Sequence, residues 1–229
     1  MKKNKRALLF GMLLGDGCLK RKLHTKFDNT VSTYYEYVIC HSSKQEEYLK
    51  YKRDLFHSLI GGKEPKIHFE NVQLGDQTHI SCRFSKCHKL FRLFHKQLYS
   101  NNNKKYFTRK ILNHLNPEAI AIWYMDDGSA AYSKRPDGTI SSVQMRLYTY
   151  CSEIEVNTIL TYFKEVWNIE GKKKLYTKSN QWNIVFNTKE GKKFDDLIKD
   201  YVIPSMYYKL PSKIITRAPI SLKEDDDIV

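Results

Sequence analysis

One segment of this 229-residue chain occurs twice, and this duplication constrains the fold more than any other feature. Leu9–Gly17 and Ile120–Gly128 are both apolar, helix-like runs that end in an Asp-Gly pair. The aspartates of the two pairs, Asp16 and Asp127, lie about half the chain apart. Self-similarity at such a spacing is typical of a repeated structural unit. The duplication therefore predicts a chain built from two similar halves.

Further matches follow the duplicated segment in the same order in both halves. A Ser-x-x-Glu sequence, at Ser43–Glu46 and Ser152–Glu155, comes after a Tyr-rich, strand-like segment and predicts a capping box at the start of a helix. Next come alternating, strand-like residues (78–84 and 181–187), helical stretches (86–99 and 189–201) and basic–aromatic patches (104–106 and 207–209). Each half is therefore predicted to run helix, two strands, helix, two strands, helix.

This order predicts an α+β fold made of two pseudo-symmetric αββαββα repeats. We place the first repeat at residues 1–99, a polar linker at 100–116, the second repeat at 117–217 and an acidic tail at 218–229. Asn116, Pro117 and Glu118 predict the start of the second duplicated helix, as its N-cap, its N1 proline and its first-turn acid.

The basic N-terminus imitates a secretory signal because a short apolar stretch follows it. Asp16 stands where such a signal needs small neutral residues, and a similar segment recurs inside the chain, so we expect the stretch to belong to the fold. No apolar run approaches the roughly 20 residues that span a bilayer, which excludes a transmembrane protein. The five cysteines are scattered and form no Cys-x-x-Cys pair, which indicates a reducing, intracellular setting without structural zinc.

The chain is strongly basic, with 39 Lys and Arg against 25 Asp and Glu and a net charge of +14, which favours a polyanionic partner. Alternation along the predicted strands puts cationic and amide side chains on one sheet face. These candidate DNA-binding residues are Lys20, Lys22, His24, Lys26, His79, Arg83, Gln144, Arg146, Tyr148, Gln181 and Asn183. A two-stranded ribbon fits the DNA major groove, where Arg and Lys suit guanine and Asn and Gln suit adenine. The alternative is an ordinary solvated face of an antiparallel sheet.

The aspartates of the duplicated segment stand at the C-terminal ends of apolar helices, where the helix dipole is negative. Two such ends that meet would create an anionic site, which a divalent cation would neutralise. Gly11 and Gly15 lie on one face of the first helix and allow another helix backbone to approach closely. For a single Asp-Gly pair, the alternative is a helix end followed by a turn.

With these two segments the chain resembles the LAGLIDADG homing endonucleases, specifically the single-chain kind with two motif copies. The second copy, Trp123–Gly128, is the more specific match, whereas the first copy lacks the earlier acid of the motif. The resemblance covers nearly the whole chain. It implies motif helices packed at the repeat interface and antiparallel sheets that form a saddle in the DNA major groove.

The resemblance also implies which residues form a metal site. By their place in the motif, Asp16 and Asp127 would be the catalytic acids that hold Mg²⁺ or Mn²⁺. Gly15 and Asp126, which directly precede them, would be accessory positions of the metal site. Hard cations held by carboxylates activate water and stabilise the attacking and leaving oxygens on both strands.

Family members often place a lysine near the site in each half. Lys105 and Lys209 match these lysines by their place in the repeat, and Lys104 is nearly as good a candidate as Lys105. Such a lysine would orient water or neutralise developing charge.

The resemblance implies a monomeric, site-specific endonuclease that makes a double-strand cut in a long, asymmetric double-stranded DNA site. The main alternative is a relative that binds intron RNA as a maturase, or one that has lost cleavage and only binds DNA or RNA. A basic RNA-binding structural protein would leave the duplicated Asp-Gly helices unexplained. A histidine-based nuclease is disfavoured because all eight histidines lie at or before His114, which leaves the second half without one.

Overall fold

The computed structural model describes residues 2–25, 27–99, 104–137 and 140–215. Lys26, the start of the predicted linker and the predicted acidic tail lie outside the described residues. The first half contains α1 (Lys3–Leu14), β1 (Cys18–Thr25), β2 (Val31–Ser42), α2 (Glu46–Ile60), β3 (His68–Leu74), β4 (Gln77–Cys87) and α3 (Phe91–Leu98). The second half, after a short linker helix α4 (Arg109–Leu112), contains α5 (Pro117–Asp127), β5 (Gly128–Lys134), β6 (Ile140–Cys151), α6 (Glu153–Trp167), β7 (Lys172–Tyr176), β8 (Gln181–Phe186), α7 (Thr188–Ile198), a 3₁₀ turn (Pro204–Lys209) and α8 (Pro211–Ile215).

Each half folds into a four-stranded antiparallel sheet with the same strand order. The order is β1-β2-β4-β3 in the first half and β5-β6-β8-β7 in the second. Helices and strands also follow one another in the same sequence in both halves. The predicted α+β fold with two αββαββα repeats is therefore confirmed.

The two motif helices, α1 and α5, pack against each other and are buried over most of their length. The buried residues run from Ala7 to Leu14 in α1 and from Ala119 to Met125 in α5, as expected for helices that are apolar on all sides. A Cβ atom at Gly11 would lie 2.4 Å from the carbonyl oxygen of Ala119, so only glycine permits this approach. The predicted close helix contact is confirmed, and the stretch that imitates a signal is part of the core. None of the described helices is both long and apolar enough to cross a bilayer.

The two predicted capping boxes have different outcomes. In the second half, the Ser152 hydroxyl accepts a hydrogen bond from the Glu155 N–H, and the Glu155 carboxylate accepts one from the Ser152 N–H. In the first half, the Ser42 hydroxyl caps a 3₁₀ turn, and α2 begins only at Glu46. The box predicted at Ser43 was therefore wrong, because the inserted turn makes Glu46 the first residue of the helix.

One predicted helix begins later than expected. β4 continues to Cys87 because it pairs with β2 as far as Glu36. The following helix, α3, therefore begins at Phe91 and not at Lys86.

One predicted strand face is only partly buried. Leu19 of β1 is buried as expected, but Leu23 and Phe27, predicted to share its core-facing side, are exposed. The outer half of the β1–β2 hairpin is exposed on both faces, so alternation there no longer separates core from solvent.

Candidate active site and nucleic-acid interface

The ends of the two motif helices meet through a hydrogen bond. Asp16 follows the end of α1, and its N–H donates to Asp126 Oδ2 at 3.0 Å, near the end of α5. The Asp16 side chain is 42% exposed. Asp127 is more enclosed, and its Oδ2 accepts a hydrogen bond from Trp123 Nε1 at 3.2 Å. Both repeats thus contribute carboxylates to one site.

The carboxylates of this site influence one another. Burial raises the pKa of Asp16 above its ordinary value, and the negative charge of Asp126 raises it further. Burial and the charges of Asp126 and Asp16 raise the pKa of Asp127 to about 7. Their ionised forms are therefore costly without a counter-charge. Carboxylate oxygens are the ligands of hard divalent cations, so the donors and the charge both fit Mg²⁺ or Mn²⁺.

Two lysines, one that follows α3 and one that follows α7, reach the backbone beside the two catalytic candidates. Lys105 Nζ donates to the carbonyl oxygen of Gly15, whereas Lys209 Nζ donates to those of Met125 at 2.5 Å and Asp126 at 2.9 Å. Gly15 and Asp126 directly precede the two motif aspartates, so the two lysines share one type of contact. Burial lowers the pKa of both ammonium groups. Lys104 lines a cavity of about 240 Å³ that Gly15, Lys105 and Asp127 also line.

The first repeat surrounds Asp126 with side chains that the sequence analysis missed. Lys52 of α2 forms an ion pair with Asp126, its Nζ lying 2.6 Å from both carboxylate oxygens, and both side chains are fully buried. The Tyr48 hydroxyl donates to Asp126 Oδ1 at 2.7 Å. His41 Nδ1 lies 3.5 Å from Asp16 Oδ2. Burial, followed by the positive charge of Lys52, lowers the pKa of His41 to about 4, so His41 is neutral at pH 7.

Asp126 differs in its contacts from the accessory metal position that the resemblance implies. Asp16, His41 and Asp126 each offer a ligand atom, and these atoms lie within 4.8 Å of one another. Both oxygens of Asp126, however, are already bound by Lys52. The sequence did carry a signal for this pair, because Lys52 interrupts the buried apolar stripe of α2.

Most of the predicted DNA-binding residues have exposed or half-exposed side chains. These residues are Lys20, Lys22, His24, His79, Arg83, Gln144, Arg146, Tyr148 and Gln181. Two of the cations form ion pairs with the neighbouring strand: Lys22 with Glu36 at 2.5 Å, and Arg83 with Glu70 at 2.6 Å. A ligand phosphate or base would have to compete with these carboxylates. Lys26 lies outside the described residues.

A local distortion of β6 changes the surroundings of the other candidates. Tyr150 has a positive φ of 42° at an irregularity in the pairing of β6 with β8. Asn183 is buried, and its Oδ1 accepts a hydrogen bond from the Tyr150 N–H at 3.0 Å, so Asn183 supports the distorted strand. Tyr148 stacks on Tyr150 with 5.9 Å between ring centroids. The Nε atom of Arg146 is buried and has no hydrogen-bond partner among the described residues.

The sequence matches the model of the LAGLIDADG DNA endonuclease family over residues 6–194. The chain belongs to this family. The match confirms the resemblance carried by the two motif copies.

Similar proteins are found among curated sequences and solved structures. The chain is 25% identical to Protein RecA of Mycolicibacterium flavescens over 219 residues, which cover 93% of the chain but 48% of that protein. The chain thus spans about half the length of this relative. It is 32% identical to Probable intron-encoded DNA endonuclease 3 of Mycosarcoma maydis over 133 residues, covering 56% of the chain and 90% of that protein. The homing endonuclease I-WcaI bound to its DNA recognition sequence has a similar fold, with a TM-score of 0.70, 22% identity and coverage of 91% of this chain and 86% of that one.

Proposed function

We propose that the protein is a monomeric, site-specific endonuclease that cuts both strands of a long, asymmetric DNA site with a divalent cation. The observation that best supports this function is the lysine that reaches the carbonyl before each motif aspartate in both repeats. Two equivalent sets of acid and lysine suit two equivalent reactions, one on each strand.

The arrangement suggests a division of labour between acids and lysines. Asp16 and Asp127 would hold Mg²⁺ or Mn²⁺, which would supply an activated water and stabilise the leaving oxygen. Lys105 and Lys209 donate hydrogen bonds to backbone carbonyls at the ends of α1 and α5 and so fix these helix ends. They also place positive charge beside the acids, where it can stabilise charge that develops on a scissile phosphate.

The direct test uses DNA that spans the protein's own gene insertion site, restored to its uninterrupted sequence. With Mg²⁺, we expect a single double-strand cut in this DNA and in no unrelated DNA. EDTA should abolish the cut. Tight binding without cleavage would contradict the endonuclease and favour a relative that only binds nucleic acid.

Arg146 is proposed to read a base, because its half-exposed side chain lies on β6 beside the stacked Tyr148 and Tyr150 rings. Arg146→Ala is expected to relax sequence preference locally, at a cost of about 1–3 kcal/mol for the preferred base pair. Cleavage of targets substituted at each base pair measures this preference. Arg109→Ala is the control. Arg109 lies on the linker helix α4 and pairs with Glu165 of α6 at 2.5 Å, and its replacement removes the same charge. An unchanged preference in Arg146→Ala would show that this strand face does not read DNA.

A basic cavity at the other end of α1 favours a second candidate function, RNA binding. The cavity has a volume of about 580 Å³, and Arg6, Lys96, Lys110 and His114 line it without any acidic residue. Burial and the positive charges of Arg6 and Lys110 lower the pKa of His114. α1 continues for eight residues beyond Arg6, to Leu14, which is about 12 Å along the helix axis towards Asp16. A DNA duplex has a persistence length of about 150 base pairs, so a duplex held by the sheets would not fold back to this cavity.

The charge of this cavity predicts a selective effect of two substitutions. Lys96→Gln combined with Lys110→Gln is expected to weaken binding of a transcript of the protein's own gene while leaving DNA cleavage unchanged. If both lysines contact phosphates of a single strand, the slope of log affinity against log salt should become shallower by about 1.4. An unchanged RNA affinity and slope would exclude this cavity as an RNA site.

A further inference from the structure

A buried ion pair joins the second motif helix to the first repeat. Asp126 comes from α5, and Lys52 comes from α2 in the other half. Their side chains are fully buried, with 2.6 Å between Lys52 Nζ and each carboxylate oxygen. The Tyr48 hydroxyl and the Asp16 N–H donate to the same carboxylate, at 2.7 and 3.0 Å. Among the described residues, Asp126 therefore has three donors, and all of them come from the first repeat.

The position of Lys52 is unusual for a lysine. It lies on the core-facing stripe of α2, between the buried Leu49 and Phe56. The equivalent stripe of α6 has the same spacing, with Ile159 between Val156 and Phe163. A fully buried ion pair is weak support for stability, because desolvation offsets much of its attraction. The pair thus calls for an explanation other than stability.

The contact with Asp16 supplies this explanation. Asp126 Oδ2 accepts the hydrogen bond from the Asp16 N–H, so the ion pair fixes the backbone of a catalytic candidate. The equivalent position in the first motif is Gly15, which has no side chain to offer in return. A Cβ atom at Gly15 would lie 2.1 Å from Asp126 Oδ2, so the glycine leaves room for the carboxylate. The hydrogen bond therefore exists in one direction only. The Asp126 side chain accepts from the Asp16 N–H, whereas Gly15 has no side chain that could accept from the Asp127 N–H.

We propose that Lys52 is a positioning residue, which holds the Asp126 carboxylate against the Asp16 backbone and so preorganises one of the two half-sites. The proposal rests on the proposed endonuclease function. Because each half-site serves one strand, loss of the pair slows the cut in one strand more than in the other. Nicked DNA then accumulates before the double-strand cut.

The test uses a variant that removes the pair without leaving a lone buried charge. Lys52→Met alone would leave the buried Asp126 carboxylate without a counter-charge, which would strongly destabilise the folded state. Lys52→Met combined with Asp126→Asn removes both charges and keeps the side-chain shapes, so it is expected to fold and to bind DNA normally. We expect one strand to be cut about tenfold more slowly or worse, because small misplacements of catalytic groups are costly. The other strand should be slowed much less, so that the ratio of the two strand rates changes.

A second measurement does not depend on cleavage. Hydrogen exchange at the Asp16 amide, followed by NMR, should speed up in the double variant, because its acceptor is displaced. Lys50→Met is the matched control: Lys50 lies on the same helix, but it is exposed and pairs with Glu46. It should change neither the strand rates nor the exchange.

The two measurements separate the proposals. Faster amide exchange in a protein that never cuts DNA would overturn the endonuclease function and leave the positioning role standing. Equal strand rates and unchanged Asp16 exchange in a folded double variant would overturn the positioning role. Equal slowing of both strands with a lower melting temperature would also overturn it, since that is the effect of general destabilisation.

Discussion

Replacing Asp16 or Asp127 with asparagine is expected to abolish double-strand cleavage while DNA affinity is retained. Asparagine keeps the shape of the side chain but removes the negative charge that would hold a divalent cation. The loss should reach about 100-fold or more, the effect of removing one group that stabilises the transition state. Single-turnover cleavage at saturating protein measures the rate, and gel-shift titration in Ca²⁺ measures the affinity. Wild-type cleavage by either variant would exclude that aspartate from the site.

The stability of the Asp127→Asn variant provides the control for this experiment. The pKa of Asp127 is raised from 3.8 to about 7 by burial and by its acidic neighbours. Between these values the folded state keeps a proton that the unfolded state has lost, so stability falls as pH rises from about 4 through 7. Asparagine has no such proton, so the variant should melt above the wild type at pH 8, and the difference should vanish near pH 4. Lost cleavage in a more stable protein would not be explained by unfolding.

Gly11→Ala is expected to cause a large loss of stability for a single added methyl group. Its Cβ would meet the Ala119 carbonyl oxygen at 2.4 Å and the Ala119 Cα at 2.9 Å, and neither backbone atom can move without separating α1 from α5. Overpacking of this kind costs about 3 kcal/mol. For a chain of this size, that lowers the melting temperature by about 10 °C. Thermal unfolding followed by circular dichroism measures the change.

Gly191→Ala is the matched substitution for this comparison. Gly191 is also a buried glycine within a helix, α7, but its new Cβ would come no closer than 3.4 Å to Met145. Alanine is the better helix former by about 1 kcal/mol, so this variant should be as stable as the wild type or more stable. Equal melting temperatures for Gly11→Ala and Gly191→Ala would contradict the close helix contact.

The fold could be predicted from the sequence because the patterns that indicate it are local and occur in both halves. The duplicated Asp-Gly helices, the alternating strands and the cap of α5 depend on neighbours in the chain, and Asn116 does accept the hydrogen bond from the Ala119 N–H. The lysines beside the site could be proposed because each stands at the same place in its repeat.

The missed features depend on contacts between distant parts of the chain. Lys52 stands out locally because it interrupts the apolar stripe of α2, but only the packing of α2 and β2 beside the end of α5 brings Lys52 and His41 to the site. Asn183 alternates like a surface residue, yet the distorted β6 strand buries it. Phe27 is apolar, but the hairpin tip leaves it exposed. In each case the contacts and the burial of the residue depend on its place in the folded protein and not on the local sequence pattern.

Because the two members of the ion pair come from different repeats, neither repeat is suited to pair with a second copy of itself. If two second repeats joined face to face, each Asp126 carboxylate would lie opposite Ile159, the counterpart of Lys52, and would lack a positively charged partner. If two first repeats joined, each Lys52 ammonium group would lie opposite Gly15 and would lack a carboxylate partner. The halves therefore recognise each other by opposite charge at the end of α5, which opposes self-pairing. Hybrid nucleases that exchange one half of this chain for that of a relative would have to transplant Lys52 and Asp126 together, or neutralise both.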